Sequence, residues 1–170
     1  MANVDLTRIP SYYHRYILCT LDDELDTAFQ KHLTNLLPLL QSLPPQKWDY
    51  RYAEGKWSIK ELVQHLIDAE RIFCYRALCF ARKDATPIPG FDENEYVVHS
   101  RADQRDADHL LKELSILQQS SALLFQSFNE DQLENNGIAN GNNIYVKGIG
   151  YIIIGHALHH KAILEERYLP

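Results

Sequence analysis

The fold of this 170-residue chain is constrained most strongly by four segments in which apolar residues recur at helical spacing. The spacing predicts helices over about 22–43, 58–81, 103 or 106 to 128, and 148–168. No segment shows the sustained apolar–polar alternation of a half-buried sheet. Because amphipathic helices bury their apolar stripes against one another, the sequence predicts an all-α four-helix bundle that occupies residues 1–170 as a single domain.

The second helix has the clearest start, and two long connections indicate how the helices are joined. Ser58 and Glu61 fit the S-x-x-E capping box. In the first helix, Pro38 predicts a kink or the last turns. Residues 82–101 are far more than a tight helical hairpin needs, so the second and third helices can run parallel. In the later connection, Asn140-Gly141 lies between short apolar runs and predicts one short hairpin.

Two histidines lie on the apolar stripe of the last helix. His156 and His160 are four residues apart, so their side chains project from the face that also carries Ile152 and Ile153. A lone histidine at such a position is more often a hydrogen-bonded core residue than a ligand. Burying two imidazoles without partners costs about 1–3 kcal/mol each, and a shared metal ion satisfies both. His159 also has a spacing that permits chelation, although its neighbours on that flank are small residues typical of a packing seam.

A metal site that keeps one position for water usually has three protein ligands. His65 is the preferred third ligand, because it lies in the second turn of the capped helix on the flank of its apolar face. His32 on the first stripe and His109 early in the third helix are the alternatives. The residues therefore predict a divalent metal site formed by His65, His156 and His160.

Two carboxylates follow His65 on the same helix and are the candidate catalytic residues. Asp68 comes one turn later, where it could orient a ligand imidazole or reach a water on the metal; its simpler interpretation is a solvated helix residue. Glu70 falls on the apolar stripe, either as a proton carrier beside the site or as a buried ion pair. The arginines considered for that pair are Arg71, Arg76 and Arg167.

Charge, cysteine usage and missing motifs argue against several functions. There are 17 Lys and Arg against 23 Asp and Glu, with no basic stripe, so we expect no nucleic-acid partner. Three cysteines without a C-x-x-C pair, no leader and no apolar stretch of about 18 residues lead us to expect a cytoplasmic protein with no membrane contact. No H-E-x-x-H, G-x-S-x-G, P-loop or paired Glu-x-x-His motif is present, so those enzyme classes are unsupported.

Three motifs, in this order, resemble the DinB-like superfamily, which includes the YfiT-like metal-dependent hydrolases. The first runs from Trp57 to Phe73 and contains His65. The second is Pro89-Gly90-Phe91-Asp92-Glu93-Asn94 in the long connection. The third runs from Tyr151 to Glu166. The resemblance covers essentially the whole chain.

This resemblance implies a bundle of up-down-down-up topology and one nickel or zinc ion on three histidines, which correspond here to His65, His156 and His160. It further implies a homodimer and a small-molecule substrate. Related members include thiol-dependent enzymes, such as mycothiol-dependent maleylpyruvate isomerases and bacillithiol transferases, and others have no established activity. The leading hypothesis is therefore a metal-dependent hydrolase or thiol S-transferase. The alternatives are a non-catalytic, metal-stabilised bundle that binds a small ligand or partner, and a plain bundle with core histidines.

Overall fold

The computed structural model describes residues 4–169, which are mostly helical. After two short 3-10 turns come the helices α1 to α8 and the strands β1 and β2. Their bounds, in chain order, are His14–Ile17 (α1), Leu25–Asn35 (α2), Leu37–Gln41 (α3), Ile59–Ala81 (α4), Glu93–Ser100 (α5), Ala107–Gln126 (α6), Glu130–Glu134 (α7), Asn136–Ala139 (β1), Asn142–Tyr145 (β2) and Val146–Ile163 (α8).

The helices α2, α4, α6 and α8 form the predicted four-helix bundle. Both α2 and α4 pack against α6 and α8. Side-chain contacts give the directions of the neighbours. Arg71 pairs with Glu113 and Cys74 contacts Ser121, so α4 and α6 run parallel. Near the start of α4, His65 contacts His156 in the second half of α8. At the end of α4, the Ala81 carbonyl accepts a hydrogen bond from the Asn135 side chain, and the Asn135 carbonyl accepts one from the Val146 amide at the start of α8, so α8 runs antiparallel to α4. The up-down-down-up topology is confirmed.

The local signals for one helix start and one hairpin are also confirmed. The Ser58 hydroxyl accepts a hydrogen bond from the Glu61 amide at 3.2 Å, and the Glu61 carboxylate accepts one from the Ser58 amide at 2.7 Å. Strands β1 and β2 pair antiparallel. Their connection, Asn140-Gly141, has φ values of 50° and 71°, the left-handed backbone that a tight two-residue hairpin turn requires.

Three segments differ in detail from the predicted helices and connection, although the predicted interruption near Pro38 is present. The first helix breaks at Leu36, so Pro38 lies in the first turn of a separate helix, α3, where its missing N–H costs nothing. The connection 82–101 is not extended throughout, because it contains α5. The Asp92 carboxylate caps this helix by accepting hydrogen bonds from the backbone amides of Asn94 and Glu95. The last α-helix ends at Ile163, and a single π-helical turn, Leu164–Tyr168, follows it.

The core has two apolar parts along the bundle axis, and the predicted metal ligands lie between them. One part packs α1, α2 and the hairpin against the first half of α8. The other packs the first half of α4 against α3, α6 and the end of α8. Within residues 4–169, none of the helices is both long enough and apolar enough to cross a membrane.

Candidate metal centre

Three imidazoles meet in the interior between α4 and α8. The Nε2 atom of His156 lies 3.0 Å from Nε2 of His65 and 3.1 Å from Nε2 of His160. One ring nitrogen from each residue falls within 4.8 Å of the other two. All three side chains are buried. The structure thus brings together the three histidines that the sequence singled out.

The position of each histidine follows from the helix that carries it. The capping box fixes where α4 begins, and the spacing of His65 from the buried Leu62 and Ala69 places it on the interior face of α4. On α8, the spacing of His156 and His160 places both rings on the side that packs against α4. Between them, His159 is turned toward the N-terminal segment, with its ring centroid 5.2 Å from that of Tyr16. His159 does not belong to the cluster of ring nitrogens.

Burial keeps all three imidazoles neutral. It lowers the pKa of His65 to about 4 and that of His160 to about 3. The pKa of His156 also lies well below its ordinary value, because the ring is buried and then because the other imidazoles are close. A neutral imidazole has a free lone pair on one ring nitrogen, which is the form that binds a metal ion.

The donor set fits one divalent metal ion. Ligand nitrogens at about 2.0–2.1 Å in a tetrahedral shell are separated by about 3.3 Å, close to the Nε2 separations of 3.0 and 3.1 Å. Without an ion, a single Nε2 atom of His156 faces two other imidazole nitrogens and cannot satisfy both. Among residues 4–169, no fourth His, Cys, Asp or Glu joins the cluster. Three ligands leave a coordination position for water or substrate.

The three histidines open onto a cavity of about 620 Å³, a volume typical of small-molecule sites. Aromatic rings surround the cluster. The ring of Trp57 lies 4.8 Å from that of His65, centroid to centroid, and the ring of Tyr16 lies 5.4 Å from that of His156. Asn140, at the hairpin turn, and Gly90 also line the cavity, and a Cβ on Gly90 would lie 2.4 Å from Asn140 Oδ1.

The two candidate catalytic carboxylates lie away from this cavity, in different surroundings. Asp68 accepts a hydrogen bond from Gln64 at 2.9 Å, and both line a surface groove beside α5. Burial raises the pKa of Asp68. Glu70 is buried among α2, α4 and α6. The proton-transfer roles suggested for both residues stay predictions.

Glu70 belongs to a buried polar network that includes none of the three arginines considered as its partner. Its Oε1 accepts a hydrogen bond from the Ser121 hydroxyl at 2.6 Å, and its Oε2 lies 3.6 Å from His32 Nε2. The Cys74 thiol donates to the Ser121 oxygen at 3.2 Å, and burial raises its pKa to about 12. Glu70 and His156 both line a narrow interior gap that has no room for a water molecule. The network therefore lies directly behind the histidine cluster.

The other histidines lie elsewhere. His32 is in this network, His109 is exposed at the start of α6, and His14 bonds to backbone carbonyls of the N-terminal segment. Sequence reasoning missed a cavity residue, Arg76, considering it only as a partner of Glu70. Its presence in the cavity wall depends on the path of the connection after α4, which has no simple periodic signal.

Comparisons with known proteins agree with this fold. The sequence model of the DinB superfamily matches residues 28–164. No curated protein matches the chain in sequence. The chain is similar in structure to YfiT from Bacillus subtilis, described as a probable metal-dependent hydrolase with an unusual four-helix bundle topology. The TM-score is 0.74 at 17% identity, covering 93% of this chain and 87% of YfiT.

A second solved structure, a mycothiol-dependent maleylpyruvate isomerase, is also similar. Its TM-score is 0.69 at 12% identity, over 94% of this chain. The chain spans only 62% of that isomerase. At these identities the likeness concerns the fold.

Proposed function

The chain belongs to the DinB superfamily, and from that premise we propose that it is a metal-dependent enzyme acting on a small molecule. The proposed ligands of one divalent ion are His65, His156 and His160. The observation that carries the proposal is the cluster of three neutral imidazoles on the wall of an open cavity. A purely structural site usually has four protein ligands and no access.

A divalent ion bound by three imidazoles lowers the pKa of a water or thiol in its open position and so supplies a nucleophile near neutral pH. The protein side chains have three further tasks. The three histidines stay neutral through burial, so they remain available as ligands. The rings of Trp57 and Tyr16 hold two of these imidazoles in place and limit access of water. Glu70 and its network pack behind the cluster.

The reaction class proposed is hydrolysis or transfer to a low-molecular-weight thiol. The first is supported by the likeness to YfiT, and the second by the likeness to an isomerase that depends on mycothiol. Three imidazoles suit zinc and nickel alike, so both are proposed as native metals. A homodimer and a cytoplasmic location are also proposed; light scattering of the purified protein and fractionation of the source cells test them.

The experiment that tests the activity is a paired panel on protein loaded with zinc or nickel. One half offers ester and amide substrates, and the other offers electrophiles together with a low-molecular-weight thiol. We expect turnover in one half only, abolished by a chelator and by His156→Ala, and retained by His159→Ala. Turnover that survives both the chelator and His156→Ala would contradict the proposal. If the metal is bound without turnover in either half, the non-catalytic bundle becomes the better account.

A further inference from the structure

The cavity in front of the histidines contains a buried cation that has no anionic partner among residues 4–169. Arg76, on α4, is only 3% exposed and lines this cavity. Its Nη2 donates to the Pro89 carbonyl at 3.0 Å, whereas its Nε is buried without a hydrogen-bond partner in the described chain. Arg76 forms no ion pair with any residue from 4 to 169.

Burying a guanidinium group without a counter-charge destabilises the protein unless another group offsets the lost hydration. A guanidinium group stays protonated at any pH at which the protein is folded, so burial cannot neutralise it as it neutralises an imidazole. Removing such a charge from water without a counter-charge is strongly unfavourable. The two half-buried arginines of the described chain each pair with a carboxylate from another element, Arg8 with Glu134 and Arg105 with Glu113.

The rest of the cavity wall indicates the chemistry of the missing partner. A second guanidinium, that of Arg15, lies at the exposed rim and donates to the Tyr16 hydroxyl at 2.7 Å. One carboxylate, that of the exposed Glu93, lines the cavity. The arginine and carboxylate side chains of the wall therefore carry a net positive charge of one. Beside Arg76 the surface is aromatic, with its guanidinium carbon 5.8 Å from the ring centroid of Phe73.

We propose that Arg76 is the anchor for an anionic group of the substrate, and that the substrate is an organic acid whose apolar part lies against the aromatic wall. This inference rests on the proposed function, because it concerns the cavity in front of the three histidines. A planar guanidinium group can donate two parallel, charged hydrogen bonds to the two oxygens of a carboxylate. Free phosphate would use the same cation and leave the aromatic wall without a contact.

The test is direct binding measured by NMR on nitrogen-15-labelled, zinc-loaded protein. Benzoate is the organic-acid probe, benzamide is its uncharged match, and inorganic phosphate is the alternative source of an oxyanion. We expect benzoate to shift the Arg76 Nε–H resonance and the cavity amides, and to bind about 10- to 100-fold more tightly than benzamide. Phosphate should bind more weakly than benzoate. Equal binding of benzoate and benzamide would overturn the proposal, and tighter binding of phosphate would overturn its organic-acid part.

Variants distinguish the contribution of Arg76 to benzoate binding from that of the cavity's overall charge and from direct coordination of benzoate to zinc. Arg76→Met should lose about 10- to 100-fold in benzoate affinity, and Arg76→Lys should recover part of it. The matched control, Arg15→Met, removes the same charge from the exposed rim and should change affinity less than about threefold, because solvent screens that charge. If Arg76→Met does not fold, Arg76→Lys becomes the test variant. It should bind benzoate more weakly than the wild type does, and its affinity for benzamide should be unchanged. Unchanged benzoate affinity in either folded Arg76 variant would overturn the proposal.

Zinc content measured on the same samples keeps the two proposals apart. Stoichiometric zinc without preference for benzoate would reject the role of Arg76 and leave the metal site standing. Benzoate binding that depends on Arg76 in protein that takes up no zinc would reject the metal-dependent enzyme and leave an anion-binding cavity.

Discussion

The close approach of the N-terminal segment to α8 gives a sharp prediction about stability. A Cβ placed on Gly155 would lie 2.0 Å from the backbone oxygen of Tyr16 and 2.5 Å from its carbonyl carbon. Since real Cβ contacts essentially never fall below 3.0 Å, the Gly155→Ala change requires the two backbones to separate by about 1 Å or more. The segment that carries Tyr16 must therefore move away from the helix that carries His156.

The matched control is Gly150→Ala on the same helix. Its Cβ would meet only side-chain atoms, the Leu25 methyl and the Phe125 ring, each 2.9 Å away at the closest point. Both changes gain about 1 kcal/mol of helix propensity. Overpacking costs about 1–3 kcal/mol, near the upper end where backbone must move and near the lower end where side chains adjust. We therefore expect Gly150→Ala to be nearly neutral and Gly155→Ala to lose about 2 kcal/mol.

Urea denaturation followed by circular dichroism measures the difference between the two variants, and for a chain of this size about 2 kcal/mol corresponds to a Tm lower by about 4–8 °C. Trypsin should also cleave after the exposed Arg15 faster in Gly155→Ala than in Gly150→Ala, because the segment is displaced. Metal content should stay at the wild-type level, since the ligands lie on α4 and α8. Equal stability of the two alanine variants would refute the reasoning.

Three further predictions concern the network, the pH response and the cap. Glu70→Leu should destabilise the protein by about 1–2 kcal/mol, because the Ser121 hydroxyl then keeps only the Leu117 carbonyl as an acceptor, whereas Glu70→Gln should cost less; urea titrations compare them. In metal-free protein, stability should fall as the pH drops below 6.5, because the unfolded chain then binds protons that buried His65, with its pKa of about 4, does not. The loss is about 2 kcal/mol at pH 5 for this residue alone and levels off near pH 4; a Tm that is constant from pH 7 to pH 5 would contradict it. Ser58→Ala should lower stability by about 1 kcal/mol through loss of the α4 cap, and Ser58→Gly by less, as thermal unfolding can show.

The sequence determines the helices and the histidine pair because both depend on local spacing. Apolar stripes at helical period predict the four long helices, the Ser58 capping box predicts where α4 starts, and Asn140-Gly141 predicts the hairpin turn. Because His156 and His160 are four residues apart, they lie on the same face of any α-helix that contains both. These features need no knowledge of which helices are neighbours.

The features that the sequence does not reveal depend on which helix faces meet. Glu70 contacts Ser121 and lies near His32 because α4 faces α2 and α6 at that level, so its partners are not the arginines nearby in sequence. Arg76 enters the cavity wall because the chain after α4 returns and places the Pro89 carbonyl beside it. Helix α5 depends on a single cap, Asp92, within a segment whose apolar pattern is weak.

The metal content of untagged protein, measured by inductively coupled plasma mass spectrometry after gel filtration, tests the central claim most directly. The account predicts about one divalent ion per chain in the wild type and in His159→Ala, and a loss of nearly all of it in folded His65→Ala and His156→Ala. Wild-type metal content in both of the latter variants, or a folded wild-type protein that binds neither zinc nor nickel when they are supplied, would contradict it.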